Sequence, residues 1–450
     1  MKKSIIILLS ISIILVAAAL GAGMYIYKNV LNINTIYKGV KIDGNSVENR
    51  TIDQALELIK EKKEPEIDEK YMNLLYGGKI YKIDLRQLGF SYEYDTAVKN
   101  AFQLGREGNF IKRLRDIRKI KAGVNIPLDS FYDEEKIENI SKNISREINK
   151  DSVDAKIKLD KGKITVTDHI VGKKVSLDEL VSIIEKNMYE LRDIEIPVKD
   201  IEPQLTKEFL SRINGVIGEF STSFKGSSAG RVENIRLSTQ AISNKLILPG
   251  QEFSYNNTTG PRTQESGYKE ANVIIGGELT PGLGGGVCQT STTMYNALLL
   301  ADLTILERSP HSIPASYVPY GQDAAVSYGY LDLKFRNDFD FPVYTYGKVV
   351  GNQVYIYIYG DTRAKNYQVK INPQIVETIP PKVEEIYDGK LSLGEKINVQ
   401  KGRTGYKVNT YKTIIKDGKV MSKKQITTDH YRKKDYVYKI GPSIPVNSNN

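Results

Sequence analysis

The sequence predicts a multidomain α+β protein that follows one long apolar N-terminal helix, and three observations lead to that fold class. The chain has 450 residues, which at about 150 residues per domain corresponds to roughly three folding units. Segments with helical spacing alternate with short strand-like segments through most of the chain, whereas the last part has strand-like segments only. Hydrophobic residues make up 40% of the sequence, enough for most of the chain to fold.

The N-terminus predicts a membrane anchor in residues 1–31. Lys2 and Lys3 precede an apolar stretch from Ser4 to Tyr27. This stretch is close to the roughly 20 residues that cross a bilayer as a helix, and it exceeds the roughly 7 to 15 residues of a signal-peptide core. Small residues in 17–23 keep signal-peptide cleavage open as the alternative. Positive charge ahead of the helix favours a single-pass protein of the cell membrane with its bulk outside.

Two related α+β modules are predicted next, in residues 32–120 and 121–205. The same order of strand, turn and helix occurs in both. In the first it is Lys79–Asp84, Gly89–Phe90 and Tyr94–Leu104, and in the second Lys163–Thr167, Gly172–Lys173 and Leu177–Leu191. A final strand is predicted at Ile194–Val198, and a charged helix over Asp133–Asn149 joins the copies.

The remaining chain divides where its composition changes. Gly, Ser, Thr and Tyr become frequent in residues 206–370, which we interpret as the catalytic domain. After the turn signal Ile379-Pro380-Pro381, segments with a period of two residues predict a small all-β module in residues 371–441. These segments are Lys396–Val399, Gly405–Lys416 and Lys419–Thr427. Residues 442–450 form a tail.

Charge, cysteine and histidine content exclude several classes of function. The 64 Lys and Arg exceed the 54 Asp and Glu by 10, but they are scattered among acids, so we expect no nucleic-acid partner. One cysteine and three histidines make a disulfide, a zinc site or a His-rich metal centre improbable. We therefore expect neither a metal nor a cofactor.

The one cysteine, Cys288, is the candidate nucleophile. It follows a glycine-rich loop that ends at Gly286, and it enters a segment with apolar residues at helical spacing. Amide groups and the helix dipole at such an N-terminus stabilise a thiolate and lower a thiol pKa to roughly 3.5 to 7.5. Gly285, Gly286 and Gln289 are candidates for substrate binding, because backbone amides beside glycines can approach a reacting carbonyl.

The other candidate residues follow Cys288, with one exception. His311 lies 23 residues further on and is the candidate base, and Asp323 is the candidate that orients its imidazole. Arg262 and Arg308 are candidates for binding a substrate carboxylate. Simpler interpretations stay open: a free cysteine is often a small buried hydrophobe, and either arginine could form an internal ion pair.

These motifs occur in an order that resembles the VanW domain, over roughly residues 213–367. The segments concerned are Gly260-Pro261-Arg262-Thr263, Gly267–Ala271, Gly284–Gln289, His311-Ser312, Tyr317-Val318-Pro319 and Asp323-Ala324. The upstream modules resemble peptidoglycan-binding modules, and the tail module resembles the G-five module of extracellular proteins. The resemblance implies a link to glycopeptide resistance and to L,D-transpeptidation of peptidoglycan, with Cys288 as nucleophile, His311 as its base and stem peptides as partners.

Three functional hypotheses result. The leading one is an L,D-transpeptidase that forms 3-3 cross-links through a Cys288 thioester and releases D-Ala. The second is a non-catalytic peptidoglycan-binding scaffold or a glycopeptide-resistance accessory protein. The third is a cysteine carboxypeptidase or endopeptidase that acts on peptidoglycan.

Overall fold

A computed structural model describes residues 2–160, 162–275 and 277–442. The helices of this part are α1 (Lys2–Ile26), α2 (Ile52–Asp68), α3 (Tyr94–Gln103), α4 (Phe110–Ile120), α5 (Glu134–Ile148), α6 (Leu177–Asn187), α7 (Lys207–Leu210), α8 (Ala229–Ile242), α9 (Tyr255–Thr259) and α10 (Val287–Leu300). The strands are β1 (Val40–Ile42), β2 (Asn45–Ser46), β3 (Tyr71–Tyr76), β4 (Lys79–Asp84), β5 (Ser91–Tyr92), β6 (Val124–Ile126), β7 (Ser130–Phe131), β8 (Ile157–Asp160), β9 (Lys163–Val166), β10 (Gly172–Val175), β11 (Ile194–Glu195), β12 (Val198–Ile201), β13 (Gly215–Ser223), β14 (Lys245–Ile247), β15 (Glu252–Ser254), β16 (Glu270–Ile275), β17 (Glu278–Leu283), β18 (Thr304–Glu307), β19 (Lys334–Arg336), β20 (Val343–Val350), β21 (Gln353–Gly360), β22 (Gln368–Ile379), β23 (Val383–Tyr387), β24 (Lys396–Gln400), β25 (Gly405–Lys416), β26 (Lys419–Tyr431) and β27 (Tyr436–Ile440). Helices combined with small sheets confirm the predicted α+β fold class.

The chain folds into two compact units, which are described separately here. One contains residues 1–153 and 170–202, and the other contains residues 154–169 and 203–450.

Helix α1 corresponds to the predicted apolar stretch. With the π-helical turn Tyr27–Leu31 it forms a helical segment of 30 residues, with a mean hydropathy of 2.9 and no buried residues in its apolar window. This length and composition are sufficient to cross a bilayer. The helix is therefore a membrane anchor or a signal sequence.

The first unit has two hydrophobic cores that share helix α2. Thr51 begins this helix with a capping box, in which its side chain and that of Gln54 each accept a hydrogen bond from the other's backbone N–H. Ile59, near the middle of α2, belongs to a core with β1, α3 and α4. Ile67, at the end of α2, belongs to a core with β3, β4, α5 and α6.

The two modules are interleaved along the chain and not consecutive, which corrects the predicted boundary at residues 120 and 121. Strand β1 pairs in parallel with β6, and β3 pairs in parallel with β11. The hairpin β8–β9, predicted to belong to the second module, is part of the other unit, where Ile157 and Ile164 pack near Tyr344 and Tyr359. Local patterns predict strands but do not specify which distant strand each one pairs with.

The predicted turn at Gly172–Lys173 is also wrong, because both residues lie in strand β10. Gly172 is needed there for close packing: a Cβ atom would lie 2.6 Å from the carbonyl oxygen of Lys150 and from the amide nitrogen of Ser152. A glycine inside a strand often marks such a close backbone approach. The predicted strand Ile194–Val198 is divided between β11 and β12.

The second unit is built on an antiparallel sheet with the strand order β13-β21-β20-β14. Helices α8 and α10 pack against this sheet, and the core between them includes Ile235, Met294, Leu298 and Ile356. A smaller sheet, β15-β19-β18, and the hairpin β16–β17 complete this domain. A cysteine-bearing helix against an antiparallel sheet is the arrangement that the sequence predicts.

Helix α10 is buried although many of its side chains are polar. Every residue from Gln289 to Leu299 is buried, so these polar groups need internal hydrogen-bond partners. Thr290 pairs with Ser238 at 2.8 Å, Thr293 with Thr222 at 2.8 Å, and Asn296 donates to the Gln322 carbonyl at 2.8 Å. These hydrogen bonds fix the axial position and the rotation of the helix.

The C-terminal β module has two sheets, with the orders β22-β25-β26 and β23-β27-β24. The predicted strands at 396–399 and 405–416 match β24 and β25. Strand β26 runs to Tyr431, four residues beyond the predicted end, and its last residues alternate between buried Asp429, exposed His430 and buried Tyr431. This extension carries side chains into the neighbouring domain.

Candidate active site

A glycine loop places Cys288 at the start of α10. Gly286 caps the helix with φ at 108°, a conformation that favours glycine, and Cys288 is the second helical residue. A Cβ atom on Gly285 would lie 2.6 Å from the Asn272 carbonyl oxygen. The glycines therefore let the loop pack closely on β16. Cys288 is partly exposed between buried neighbours.

The Cys288 thiol lies beside Val326 and His311. Its Sγ atom donates to the Val326 carbonyl at 3.4 Å, and the Val326 N–H donates to Sγ at 3.5 Å. Burial raises the pKa of the Cys288 thiol, but the hydrogen bond and charge of His311 lower it more, with help from the Val326 amide and Arg262. The net pKa is lowered, which favours a thiolate.

His311 and Asp323 form a buried pair, and their side chains are 5% and 1% exposed. Oδ2 of Asp323 lies 2.6 Å from Nδ1 of His311 and also accepts the His311 backbone N–H at 2.6 Å. Burial lowers the pKa of His311, but hydrogen bonds with Asp323 and Cys288 outweigh burial and raise it to about 9. Burial raises the pKa of Asp323, but hydrogen bonds from His311 and Tyr431 outweigh burial and bring this pKa below its usual value.

Arg262 has a buried donor that makes no hydrogen bond among the described residues. Its Nη2 donates to Oδ1 of Asn256 at 2.7 Å, whereas its buried Nη1 has no hydrogen-bond partner among the described residues. The guanidinium lies 5.8 Å from the ring centroid of Tyr328. Its charge lowers the pKa of the Cys288 thiol. This placement is compatible with the predicted role in binding a substrate carboxylate.

Arg308 is placed differently from what a substrate-binding residue requires. Its side chain is 4% exposed, and its Nε donates to the Asp323 carbonyl at 2.6 Å while Nη1 donates to Asp429 at 2.5 Å. The guanidinium also lies 5.1 Å from the Tyr295 ring centroid. Because these internal partners occupy and bury it, we replace the predicted substrate contact with a supporting role behind Asp323.

Gln289 is also occupied internally. Its Nε2 donates to Thr222 at 3.1 Å and to the Ser223 carbonyl at 2.9 Å, and its Oε1 accepts from Arg231 at 2.9 Å. The side chain thus links α10 to β13 and is buried, so a side-chain contact with substrate is excluded in this conformation.

Two of the backbone amides around Cys288 are already hydrogen-bonded within the loop, so fewer remain to bind an oxyanion. The Val287 N–H donates to Gly284 at 3.1 Å, and the Gln289 N–H donates to Gly286 at 2.9 Å. We therefore keep the amides of Gly286 and Cys288 as the proposed oxyanion donors. Gly285 contributes its backbone to the tight loop, and its carbonyl accepts from Asn234 at 2.9 Å.

Two residues of the β module reach the site without being predicted. The Tyr431 hydroxyl donates to Oδ1 of Asp323 at 2.5 Å, and Asp429 pairs with Arg308. Only the alternation of β26 beyond Thr427 could have indicated that both side chains point inward. Among the described residues no group of three or more His, Cys, Asp or Glu side chains is arranged to hold a metal ion.

Three family models match the chain in sequence. A model of VanW-like proteins matches residues 230–359, a peptidoglycan binding domain model matches residues 81–195, and a G5 domain model matches residues 373–443. The peptidoglycan binding match crosses the predicted boundary between the two N-terminal modules, in keeping with their interleaving.

Two curated relatives and a solved structure are similar to parts of the chain. The uncharacterized protein YoaR of Bacillus subtilis (strain 168) is 38% identical over 191 residues, which are 42% of this chain and 63% of YoaR. The vancomycin B-type resistance protein VanW of Enterococcus faecalis is 36% identical over 115 residues, 24% of this chain and 42% of that protein. The crystal structure of HP0197-G5 is 31% identical and covers 17% of this chain and 97% of that chain, with a TM-score of 0.13.

The chain thus spans less than two thirds of the length of these two curated relatives. The domain matches and both relatives agree with the resemblance that the sequence indicates. By these matches the chain carries a VanW-like domain between a peptidoglycan-binding domain and a G5 domain.

Proposed function

We propose that the protein is a cysteine-dependent L,D-transpeptidase that forms 3-3 cross-links between peptidoglycan stem peptides. The proposal is carried by the Cys288 thiol, whose pKa His311 lowers, together with the 2.6 Å contact between His311 and Asp323. A nucleophile, a base and a group that orients the base are the parts that acyl transfer through a thioester requires.

The first half-reaction forms the thioester. The Cys288 thiolate attacks the carbonyl carbon of the third residue of a tetrapeptide stem, and the amides of Gly286 and Cys288 stabilise the resulting oxyanion. Asp323 occupies Nδ1 of His311, which leaves Nε2 to protonate the leaving nitrogen. The C–N bond breaks, D-Ala departs as the free amino acid, and the acyl group stays on sulfur.

The second half-reaction transfers the acyl group. His311, now neutral, accepts a proton from the side-chain amine of another stem as that amine attacks the thioester. The C–S bond breaks, the thiolate returns beside the protonated His311, and a 3-3 amide bond results. Water in place of the amine would give a tripeptide, so access to Cys288 decides between transfer and hydrolysis.

The proposed location follows from the parts outside the catalytic domain. Helix α1 would anchor the chain in the cell membrane, with the bulk outside. The domain that matches the peptidoglycan-binding model would bind the cell wall. No cofactor enters the proposed reaction.

Mass spectrometry of products tests the proposal. The full-length protein in detergent and its Cys288→Ala and His311→Gln variants are incubated with purified disaccharide-tetrapeptide. His430→Gln is the matched control, because His430 is exposed. We expect dimers with loss of D-Ala from the natural protein and from the control only.

Other products would identify the other functions. Cysteine-dependent tripeptide without dimers would indicate a carboxypeptidase. Soluble fragments released from cross-linked wall would indicate an endopeptidase. Unchanged tetrapeptide with every folded variant would contradict the proposal and favour the binding scaffold.

A further inference from the structure

We infer that the C-terminal β module is part of the catalytic site, with Tyr431 and Asp429 as positioning residues that hold Asp323 in place for His311. The inference rests on the proposed function, since it assigns a role to residues that support the proposed nucleophile and base. It gives the β module a task in addition to any role in binding the cell wall.

Tyr431 bridges the backbone and the carboxylate of the segment that carries Asp323. Its hydroxyl accepts the Gly321 N–H at 2.6 Å and donates to Oδ1 of Asp323 at 2.5 Å. A separation of 2.5 to 2.7 Å is typical of a hydroxyl that donates to a carboxylate. Burial and the Asp323 charge raise the pKa of Tyr431, so the hydroxyl keeps its proton and remains a donor.

Asp429 acts on Asp323 through Arg308. The Arg308 guanidinium lies between the two carboxylates, with Nη1 at 2.5 Å from Asp429 and Nη2 at 3.5 Å from Oδ1 of Asp323. Its Nε holds the Asp323 carbonyl at 2.6 Å. All three side chains are at most 4% exposed. Asp429 thus fixes the guanidinium that in turn holds the Asp323 backbone.

The contact between the two domains is close at this point. Gly321 has φ at 78°, and a Cβ atom there would overlap Oγ1 of Thr410 on β25. Thr410 donates to the Gly321 carbonyl at 3.2 Å, and Tyr320 packs on Tyr431 with ring centroids 5.7 Å apart. The Arg432 N–H donates to the Ser312 carbonyl at 2.9 Å, next to His311. Both segments that carry His311 and Asp323 are therefore held by the β module.

The two carboxylate oxygens of Asp323 have different hydrogen-bond partners. Oδ2 binds His311 through its ring and its backbone, whereas Oδ1 takes the hydrogen bonds from Tyr431 and Arg308. Without the Tyr431 hydroxyl, the carboxylate can rotate and the Gly321 N–H loses its buried partner. The Asp323 carboxylate then stabilises the His311 imidazolium less. The Cys288 thiolate in turn loses part of the positive charge that stabilises it.

Alkylation of the one cysteine tests this inference without any substrate. The rate of reaction with iodoacetamide is measured from pH 5 to 10 on the full-length protein in detergent, as natural protein and as Tyr431→Phe. Tyr438→Phe removes a hydroxyl elsewhere in the same module and is the matched control. We expect Tyr431→Phe to raise the midpoint pH by about one unit, which is about a tenfold lower rate below the midpoint. The control should keep the natural profile.

A Tyr431→Phe profile that matches the natural one, or shifts equally in Tyr438→Phe, would overturn the inference. If Tyr431→Phe does not fold, the similarly shaped change Asp429→Asn decides. Arg308 would then pair more fully with Asp323, and Asp323 would stabilise the His311 imidazolium less. The midpoint pH of alkylation should therefore rise again. An unchanged midpoint would refute the role of the β module. A shift without any transpeptidation by the natural protein contradicts the proposed function alone, while cross-linking with no shift contradicts this inference alone.

Discussion

One oxygen of Asp323 binds His311 twice, at 2.6 Å to the ring Nδ1 and at 2.6 Å to the backbone N–H. The double contact fixes both the position of the residue and the rotation of its ring. With Nδ1 taken by the carboxylate, Nε2 is the nitrogen left for proton transfer at Cys288. The pair therefore fixes one orientation of the ring before any substrate binds.

The first prediction concerns pH. The pKa of Cys288 is lowered and that of His311 is raised to about 9, so thiolate and imidazolium coexist between these values as a coupled pair. Alkylation by iodoacetamide should have its midpoint below the ordinary thiol pKa of about 8.5. Formation of dimers should fall above about pH 9, because His311 then lacks the proton for the leaving amine. An alkylation midpoint at or above the ordinary value would contradict the ion pair.

The second prediction is that Asp323→Asn lowers the rate of cross-linking by about 10⁴-fold, the effect known for the same change in a comparable triad. The amide carries no charge to stabilise the imidazolium, so the alkylation midpoint should also rise. Asp332→Asn is the control, because Asp332 is another buried aspartate of this domain, bound to Ser254 and Asn256. If both variants gave the same alkylation profile, the special role of Asp323 would be refuted.

The third prediction concerns stability in acid. The pKa of Asp323 is lowered in the folded protein, so its carboxylate adds stability above the unfolded pKa of about 3.9, and this stability is lost as the pH falls through the folded pKa. The difference in free energy of unfolding between natural protein and Asp323→Asn should shrink as the pH falls below 4. Urea denaturation at each pH measures it, and a difference that does not change down to pH 2.5 would contradict the assignment.

The sequence was sufficient to predict the local parts of the site. Glycines before a helical pattern place Cys288 at a helix start, and the order of His311 and Asp323 follows from the motif. It was insufficient for contacts between distant segments. The partner of Arg308, Asp429, lies 121 residues further along the chain in a different module, and nothing in the local pattern around either residue links them.

The interleaving of the N-terminal modules also depends on contacts between distant segments, which local sequence patterns do not specify. Strand β4 was predicted with its observed bounds, because alternation and turn residues are local signals. That its neighbour β3 pairs with β11 depends on which apolar faces can be buried together, and this is a property of the folded chain. Gly172 is a second example. In the sequence this glycine indicates a turn, whereas in the fold it allows a close approach to Lys150 and Ser152.

The fourth prediction separates a supporting role of Arg308 from a substrate contact. Lysine lacks the planar fork that reaches both Asp429 and the Asp323 carbonyl, so Arg308→Lys leaves part of a buried ion-pair network unpaired. We expect a loss of about 1 to 3 kcal/mol in the free energy of unfolding, measured by urea denaturation. The KM for tetrapeptide should not change in the folded protein. A higher KM with unchanged stability would restore the substrate contact.

The fifth prediction concerns Arg262, whose buried Nη1 has no partner in the described part of the chain. If this donor binds the terminal carboxylate of the D-Ala that leaves, then Arg262→Gln removes a charge-assisted hydrogen bond worth about 1.5 to 3 kcal/mol. The KM for tetrapeptide should rise about 10- to 100-fold, and the melting temperature should stay near that of the natural protein. Arg236→Gln is the matched control, because Arg236 is exposed and pairs with Glu233 on α8. Equal effects of both substitutions on KM would show that general positive charge, and not a directed contact beside Cys288, attracts the substrate.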